Sequence, residues 1–391
     1  MLLYLETPMP HAKAAFLSLA AFVGTASAQH STFMYTDQPT DTVSVVDPSG
    51  VASPLLTITP GSIRLAMPVE INGLYYCSHG RGAGNPTGGI FRLDDLFGAT
   101  PIFTDIVSDN MVQHPVDMIY HAPTGELVTV NNPGANEALD PRIEGVIATL
   151  PDGTSRIVYQ EPNAPRSDPY PRFSAGFALT ADPLSDDVFV VSINGGVGTG
   201  AYASDNEGST IWRVDVSTGA ISLFADLSGT TLGTLTFIRG IAALDNGDLA
   251  VCDRRENAIY RLHRDGAGDF NSISLIYGNV DGPRYLQYDA ALDNLVLYEQ
   301  DLDVISQVKP NGTGYQVLLA GADTRGILVL PPPPPACPAD TNGDGILDNG
   351  DIGTFVTLFL AGDLAADFNG DGILDNGDIG GFVAAFLAGC A

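Results

Sequence analysis

The 391-residue sequence predicts an all-β body, a six-bladed β-propeller, followed by a small α-helical domain. Three observations predict this arrangement. One strand pattern recurs six times before residue 330, and helical periodicity is almost absent from that region. Near the C-terminus an acidic twelve-residue loop followed by a short apolar segment occurs twice. Repetition at about 45 to 65 residues with β-strand patterning is typical of propeller blades.

The recurring strand has alternating apolar residues and is followed by a turn such as "PSG", "PDG", "STG" or "RDG" and then a second strand. A pair of strands around another turn precedes most copies, as in "GIAALDNGDLAVCD". Each repeat therefore predicts four strands. The six copies are "DTVSVVD" at 41, "GGIFRLD" at 88, "EGVIATL" at 144, "STIWRVD" at 209, "NAIYRLH" at 257 and "DVISQVK" at 303.

The first repeat lacks an innermost strand, whereas the last supplies only "TRGILVL", so the two ends together predict one complete blade. Such closure leaves no open sheet edge. The repeats resemble those of six-bladed NHL-like and gluconolactonase-like propellers, a likeness of fold that does not assign a function. A pair of two-sheet sandwiches is the competing interpretation of the strand pattern.

The chain divides into four predicted parts. Residues 1–28 have a lysine, an apolar run and an Ala-Ser-Ala cleavage site, the features of a secretory signal peptide. Residues 29–330 form the propeller, and residues 331–336 form a linker that contains five consecutive prolines and is stiff for that reason. Residues 337–391 form the helical domain. We therefore expect a secreted protein, either extracellular or attached to a cell surface.

The formal net charge of −29 excludes several classes of partner. Such a field repels nucleic acid and anionic membranes, so we expect no nucleic-acid partner. No later apolar run reaches the length of a membrane span, so we expect no transmembrane segment. Residues 337–391 hold nine Asp and no basic residue, which gives this part a charge of −9.

Arginines recur where the innermost strands begin, although the whole chain has only fifteen. Guanidinium groups suit bidentate contact with carboxylate, sulfate or phosphate, so we predict a ring of them at the mouth of the central channel. The competing interpretation is that each arginine joins neighbouring blades through carbonyls and carboxylates. The predicted ligand-binding residues are Arg64, Arg172, Arg239, Arg284 and Arg325, and the sixth position holds His114.

Proton transfer at this mouth would fall to His79, His114 or Tyr285, the candidate catalytic residues. Long Gly- and Asn-rich loops starting at His79, Asn131 and Asn194 are expected to form one wall over it. No G-x-S-x-G, H-E-x-x-H or Walker sequence occurs. The acidic and amide cluster that lactonase-type propellers use for their metal is also absent from the strand starts.

The acidic loops "DTNGDGILDNGD" and "DFNGDGILDNGD" have the spacing of EF-hand calcium loops, with a glycine at position 6. We expect each to bind one Ca²⁺ through side-chain oxygens and one backbone carbonyl. An acidic turn without metal is the alternative. The predicted ligands are Asp340, Asn342, Asp344, Ile346, Asp348 and Asp351 in the first loop, and Asp367, Asn369, Asp371, Ile373, Asp375 and Asp378 in the second.

Each loop leads into a predicted helix that stops at Gly362 or Gly389, and no helix precedes either loop. This duplicated arrangement resembles the dockerin domain, in particular short variants with a Gly-Cys near the C-terminus found in planctomycete-type bacteria. The resemblance implies a cohesin-like or cell-surface anchoring partner. Loop positions 10 and 11, which carry Ser or Thr pairs in cellulosomal dockerins, are Asn-Gly pairs in both copies.

The four cysteines fall into two pairs. Cys337 and Cys390 bracket the calcium loops, so a disulfide between them would fasten the ends of a small domain. A free Cys390 used for attachment is the alternative. Cys77 and Cys252 end equivalent strands three blades apart, and we expect both to be buried free thiols.

Two functions follow from these features. The first is a secreted, calcium-binding and dockerin-anchored propeller that presents a face to an anionic glycan or a protein ligand. The second is a polysaccharide-active enzyme, a lyase or glycosidase acting on anionic glycans at the channel mouth.

Overall fold

The computed structural model describes residues 30–330 and 338–389, apart from 38, 58–63, 72, 81–87, 98–100, 108–110, 113–114, 132–142, 162–175, 194–208, 236, 343–345, 364–365 and 369–372. Its body contains six four-stranded antiparallel sheets, and the innermost strands of consecutive sheets lie against one another around a ring. The prediction of an all-β, six-bladed propeller followed by two short helices is confirmed.

Each blade runs from an inner strand at the channel to an outer strand at the rim. The inner strands are β4 (Arg64–Ile71), β8 (Pro115–His121), β12 (Gly176–Ala181), β16 (Ile238–Ala243), β20 (Pro283–Asp289) and β24 (Thr324–Val329). The second strands are β5 (Leu74–Gly80), β9 (Glu126–Asn131), β13 (Asp187–Ile193), β17 (Leu249–Asp253), β21 (Asn294–Glu299) and β1 (Phe33–Asp37). The third strands are β6 (Gly89–Asp94), β10 (Gly145–Thr149), β14 (Ser209–Asp215), β18 (Ala258–Arg264), β22 (Val304–Val308) and β2 (Thr42–Val46). The outer strands are β7 (Ile102–Val107), β11 (Ser155–Gln160), β15 (Ile221–Asp226), β19 (Phe270–Tyr277), β23 (Gln316–Ala320) and β3 (Ala52–Thr57).

We number the blades so that blade 1 contains β24, β1, β2 and β3, and blades 2 to 6 contain the following sets of four strands in chain order. Blade 1 joins the two ends of the propeller. Strand β24 pairs antiparallel with β1, with Val329 opposite Phe33 and Ile327 opposite Tyr35. The closure predicted from the incomplete first and last repeats is thus confirmed, and it removes the exposed edges of an open sheet.

Burial falls from the second strands to the outer strands, and the sequence follows this gradient. Every residue of β9 and β21 is buried, whereas β3 is exposed or half-buried throughout. Apolar side chains of neighbouring blades interdigitate, as where Val128 and Val130 of blade 3 pack in one cluster with Val188 and Val190 of blade 4. Burial of such side chains contributes about 1.5–3 kcal/mol each, so the contacts between blades stabilise the ring.

A buried ion pair also joins two blades. The Arg264 guanidinium at the end of β18 donates to both carboxylate oxygens of Asp182, which follows β12, at 2.7 and 3.0 Å. The Arg264 side chain is 4% exposed and that of Asp182 is fully buried. Fork-to-fork pairing of this kind fixes the geometry between the partners, here between blades 4 and 5.

The C-terminal part forms helices α1 (Asn349–Ala361) and α2 (Asn376–Ala388). Asp348 and Asp375 are the N-caps, and each forms a capping box with the Asp three residues later. Gly362 and Gly389 end the helices with positive φ, as the sequence predicts. The rings of Phe355 and Phe382 stack 4.2 Å apart and join the two helices. Neither helix reaches the length and apolar character that a membrane crossing requires.

Candidate functional site

The channel mouth is the end of the ring at which the inner strands begin. Every inner strand contains a bulge there, where its register with the second strand shifts, as between Ile238 and Gly240 or between Pro115 and Asp117. Bulges turn side chains out of the regular alternation and are frequent beside binding sites. The six bulges therefore determine which side chains of the inner strands lie at the mouth.

The strand register corrects the predicted ring of five equivalent arginines. Arg239, Arg284 and Arg325 each follow the first residue that pairs with the second strand, and they lie on blades 5, 6 and 1. In blade 2 the bulge of β4 falls between Ala66 and Pro68, so the position equivalent to Arg239 is residue 67. Arg64 lies three residues before that position. The equivalent positions in blades 2, 3 and 4 are occupied by Met67, Val116 and Phe177. Arg172 and His114 lie outside the described residues.

Arg239 lies between two aromatic rings. Its guanidinium carbon is 4.1 Å from the centre of the Phe177 ring on blade 4 and 4.9 Å from that of Phe237. A second cation, Arg255, is 5.6 Å from the Phe237 ring. The negative faces of aromatic rings attract cations and hold their planes in place. Contacts with aromatic rings thus hold the half-buried Arg239 side chain at the mouth.

Arg284 is positioned by its neighbours on blade 6. One of its terminal nitrogens donates to the Gln300 side-chain oxygen at 2.8 Å, and the Tyr285 ring lies 5.0 Å from the guanidinium carbon. Tyr285 itself has φ of 52°, a left-handed conformation that non-glycine residues seldom adopt. Backbone strain of this kind is concentrated at binding and active sites.

Five other arginines in the described part of the chain, Arg92, Arg156, Arg213, Arg254 and Arg264, each form an ion pair with a carboxylate. Arg284 and Arg325 have no such pair among the described residues. The competing interpretation joins neighbouring blades through contacts of the arginines with carbonyls and carboxylates, and the described residues show no carboxylate contact for these two. Their charge at the mouth of an otherwise acidic protein favours contact with an anion.

A second set of polar side chains at the mouth was not predicted. Each second strand has a polar residue opposite the residue that precedes the position equivalent to Arg239: Ser78, Asn131, Ser192, Asp253, Glu299 and Asp37. Asp253 accepts the backbone N–H of Phe237 at 3.0 Å, and Glu299 accepts that of Asp281 at 2.8 Å. These carboxylates hold the segment before the inner strand in place, and so they position Arg239 and Arg284.

Asp117 is the acid buried in an inner strand at the mouth. Its carboxylate accepts the backbone N–H of Met118 and, across the blade boundary, that of Leu179, both at 2.8 Å. Burial raises the pKa of Asp117 to about 7, although these two hydrogen bonds oppose the rise. The carboxyl group therefore changes its charge close to neutral pH.

The candidate catalytic residues that the structure describes are buried. His79 is 3% exposed and stacks on Phe91 with ring centroids 4.3 Å apart, close against Gly89. Tyr285 is 8% exposed. Most of the three loops predicted to wall the mouth lies outside the described residues.

The thiols Cys77 and Cys252 are buried and unbonded, as predicted, and they lie at equivalent register positions of blades 2 and 5. Burial raises the pKa of the Cys77 thiol to about 12, and burial also raises that of Cys252. Both thiols are therefore protonated near neutral pH and are unreactive. Cys337 and Cys390 lie outside the described residues, so the disulfide between them stays a prediction.

The acidic loops turn their last carboxylate inward. Asp351 is fully buried and accepts the backbone N–H groups of Asn342 at 3.2 Å and Asp348 at 2.9 Å. Asp378 is equally buried and accepts those of Phe368 and Asp375, both at 2.8 Å. In each loop the carboxylate at position 12 is thus held by the backbone N–H of position 9 and by that of position 3 in the first loop or position 2 in the second.

The donor set of these loops suits a hard cation. A Cβ added at Gly350 would lie 2.9 Å from both the Asn342 amide nitrogen and an Asp348 oxygen, so position 11 must be small for these two side chains to approach each other. The oxygens that would hold Ca²⁺ belong to Asp340, Asn342, Asp348 and Asp351 and to the Ile346 carbonyl, and in the second loop to Asp367, Ile373, Asp375 and Asp378. Asp344, Asn369 and Asp371 lie outside the described residues, and the rest contain no cluster of three or more His, Cys, Asp or Glu with metal-binding geometry.

Comparison with known proteins supports the fold. No protein-family model matches the chain, and no curated protein matches it. The structure is similar to a chain of a nidogen/laminin complex, with a TM-score of 0.56 and 11% identity over 76% of this chain and 97% of that chain. At this identity the likeness concerns the fold alone.

Two further solved structures share the propeller architecture at lower similarity. A protein provisionally named a gluconolactonase has a TM-score of 0.48 and 15% identity, over 68% of this chain and 81% of its own. A catalytically inactive variant of virginiamycin B lyase from Staphylococcus aureus, solved with quinupristin, has a TM-score of 0.42 and 14% identity, over 67% and 72%.

Proposed function

We propose that this protein is an exported binding protein whose propeller holds an anionic ligand at the channel mouth. Its C-terminal domain, a dockerin-like module folded around two Ca²⁺ ions, would tether it outside the cell. The observation that carries the proposal is the placement of Arg239, Arg284 and Arg325 at one register position on three consecutive blades.

The surroundings of these arginines support an anion as the ligand. Aromatic rings lie against the Arg239 guanidinium, and a ring and one amide contact that of Arg284. A carboxylate or sulfate group would gain charge-assisted hydrogen bonds from such guanidinium groups. Anionic glycans carry these groups at regular intervals, so they fit three cations that recur from blade to blade. Acidic protein surfaces are the other ligand class, and the similar nidogen/laminin chain comes from a complex of two proteins.

The test is binding of defined polyanions to the full-length protein. Polygalacturonate and dextran sulfate serve as probes in isothermal titration calorimetry, with neutral dextran as the uncharged reference. We expect the Arg239→Ala/Arg284→Ala variant to bind the preferred polyanion at least tenfold more weakly, because each lost charged contact contributes about 1.5–3 kcal/mol.

The matched control is Arg92→Ala/Arg156→Ala, which removes two charges from half-exposed arginines paired with Asp94 and Glu126 instead of the mouth. This control should retain the parent affinity. If the parent protein binds neither polyanion, or if both double variants lose affinity equally, the mouth is not an anion site.

Export and tethering are supported by the sequence of residues 1–28 and by the two acidic loops. The described ligands of both loops lie at the expected spacing, and the domain has no basic residue to neutralise its nine carboxylates. Bound Ca²⁺ would supply that positive charge. The resemblance to dockerins adds a cohesin-like or surface partner to the proposal.

Action as a lyase or glycosidase on anionic glycans stays a prediction. The two described candidates, His79 and Tyr285, are buried and hence lack an open path to a substrate. Turnover of polygalacturonate that disappears in His114→Ala would establish the catalytic function, and binding without turnover would support the binding protein.

A further inference from the structure

The two C-terminal helices expose a continuous apolar surface, which we name the aliphatic face. It consists of Ile352, Val356 and Leu360 on α1 and Ile379, Val383 and Leu387 on α2. Residues four apart lie on one side of a helix, so each trio forms a stripe. Corresponding residues of the two helices are equally exposed: Ile352 and Ile379 at 39% and 40%, Val356 and Val383 at 46% and 47%, and Leu360 and Leu387 both at 80%.

The stripes border a groove of about 370 Å³ between the helices, and the rings of Phe355, Phe359 and Phe382 line its floor. These rings belong to the small core of the domain. Its buried members, which are at most 3% exposed, are Ala339, Phe355, Ala366 and Phe382. The stripes thus lie outside the core. Contiguous exposed apolar surface rimmed by polar groups is typical of protein interaction sites.

Charge decides which kind of partner fits. No carboxylate belongs to the aliphatic face, whereas the exposed Asp348 and Asp375 lie at the starts of α1 and α2, and the exposed Asp363 follows α1. Residues 337–391 contain no Lys or Arg, and two bound Ca²⁺ would reduce their charge of −9 only to −5, so the border of the face stays acidic. A second copy of the chain would bring another nine carboxylates against this border, and an anionic lipid surface would be repelled for the same reason.

We propose that the aliphatic face is the surface through which the tether binds its partner, and that the partner is a protein with an apolar centre and a border of Lys and Arg. This inference rests on the tethering function proposed above. It also accounts for the Asn-Gly pairs at Asn349 and Asn376, because the contacts are made farther along the helices. The matching stripes give the partner two nearly equivalent apolar surfaces.

Two synthetic helical peptides of about 20 residues test the inference with the full-length protein in calcium. Both carry the same leucine stripe, with lysines at the other positions of one peptide and glutamates in the other. We expect fluorescence anisotropy to show binding of the lysine peptide and at least tenfold weaker binding of the glutamate peptide, because only the first complements the acidic border.

The Leu360→Gln/Leu387→Gln variant should bind the lysine peptide at least tenfold more weakly than the parent. It keeps the net charge, so a loss reports the apolar contact and not general attraction to an acidic protein. Both leucines are 80% exposed, so folding should be unchanged. Leu184→Gln/Leu302→Gln, which alters propeller leucines 60% and 53% exposed, is the matched control and should bind like the parent.

Several results would overturn the inference: no binding of the lysine peptide, or equal binding by the parent and the Leu360/Leu387 variant. A parent dimer that the variant abolishes in sedimentation would identify a second copy as the occupant. Phosphatidylcholine vesicles that bind the parent but not the variant would identify lipid. A melting temperature unaffected by EDTA would contradict the proposed calcium-dependent tether. A response to EDTA without peptide binding would contradict only the proposed binding role of the aliphatic face.

Discussion

The Arg239 guanidinium lies 4.1 Å from the centre of the Phe177 ring, although these residues belong to neighbouring blades. This contact links the edge of the candidate site to the stability of the ring. We expect Arg239→Met and Phe177→Leu to be coupled by about 1 kcal/mol in a double-mutant cycle, because either change removes the same cation–π contact.

Urea unfolding of the parent, the two single variants and the double variant measures this coupling. Methionine keeps the apolar stem of the arginine, so the cycle isolates the charged group. Additive effects, within about 0.3 kcal/mol, would mean that the ring merely lies beside the guanidinium.

The buried pair of Arg264 and Asp182 should contribute far more than an exposed pair at the next blade boundary. Arg264→Met leaves the fully buried Asp182 carboxylate with only the more distant Arg213, 3.9 Å away, so we expect a loss of about 3 kcal/mol in the free energy of unfolding. Thermal or urea unfolding at pH 7 checks the value.

The matched control is Arg254→Met, which breaks the pair with Asp301 between blades 5 and 6. Those side chains are 31% and 54% exposed, so water screens their attraction and the loss should stay below about 1 kcal/mol. Equal losses in the two variants would show that burial does not decide the strength of these pairs.

The blade count and the closing blade followed from the sequence because both depend on local patterns. A turn after each alternating strand marks a hairpin wherever it occurs, and the incomplete first and last repeats had to complete each other. The sequence could not show which arginines occupy equivalent positions, because the register of each inner strand depends on its pairing with the second strand. The bulge between Ala66 and Pro68 places Met67, not Arg64, at the position of Arg239.

The polar ends of the second strands were missed despite a signal in the sequence. The strands "LAVCD", "NLVLYE" and "ELVTVN" are buried throughout, have mostly apolar interiors and end in Asp, Glu or Asn. A charged group at the end of a wholly buried strand must find hydrogen-bond partners. Asp253 and Glu299 find them in the segments before the inner strands, a contact that only the folded blade brings together.

Asp117 should make stability depend on pH in a particular direction. Its pKa of about 7 in the folded protein lies above the value near 3.9 of an unfolded chain, so folding favours the protonated form. The stabilisation is complete below about pH 4 and disappears as the pH rises through 7. Relative to Asp117→Asn, the parent should lose up to about 1.4 kcal/mol per pH unit in this window.

Urea midpoints of both proteins between pH 4.5 and 8 provide the comparison. Asn cannot ionise, so the difference between the two curves isolates Asp117 from the other carboxylates. The slope is the relevant quantity, because Asn also replaces one of the two acceptors used by Met118 and Leu179. Parallel curves would mean that Asp117 stays ionised throughout.

Calcium removal should unfold the helical domain before the propeller. The core of that domain is small, and the Asp351 and Asp378 carboxylates are fully buried in loops without a basic residue. Calcium at about 100 times its dissociation constant would stabilise the folded domain by about 2.7 kcal/mol per site. In calorimetry, EDTA should therefore lower one transition and leave the propeller transition where it is.

The variant Asp351→Asn/Asp378→Asn supplies the control for this experiment. It keeps one side-chain oxygen at position 12 of each loop but removes the charge, so its lower transition should no longer respond to EDTA. Each Asn also weakens the hydrogen bonds to the loop N–H groups and so lowers the melting temperature by itself. The measurement that tests calcium binding is therefore the change in melting temperature on adding EDTA. A parent protein whose lower transition ignores EDTA would show that the loops are acidic turns stabilised by their capping boxes.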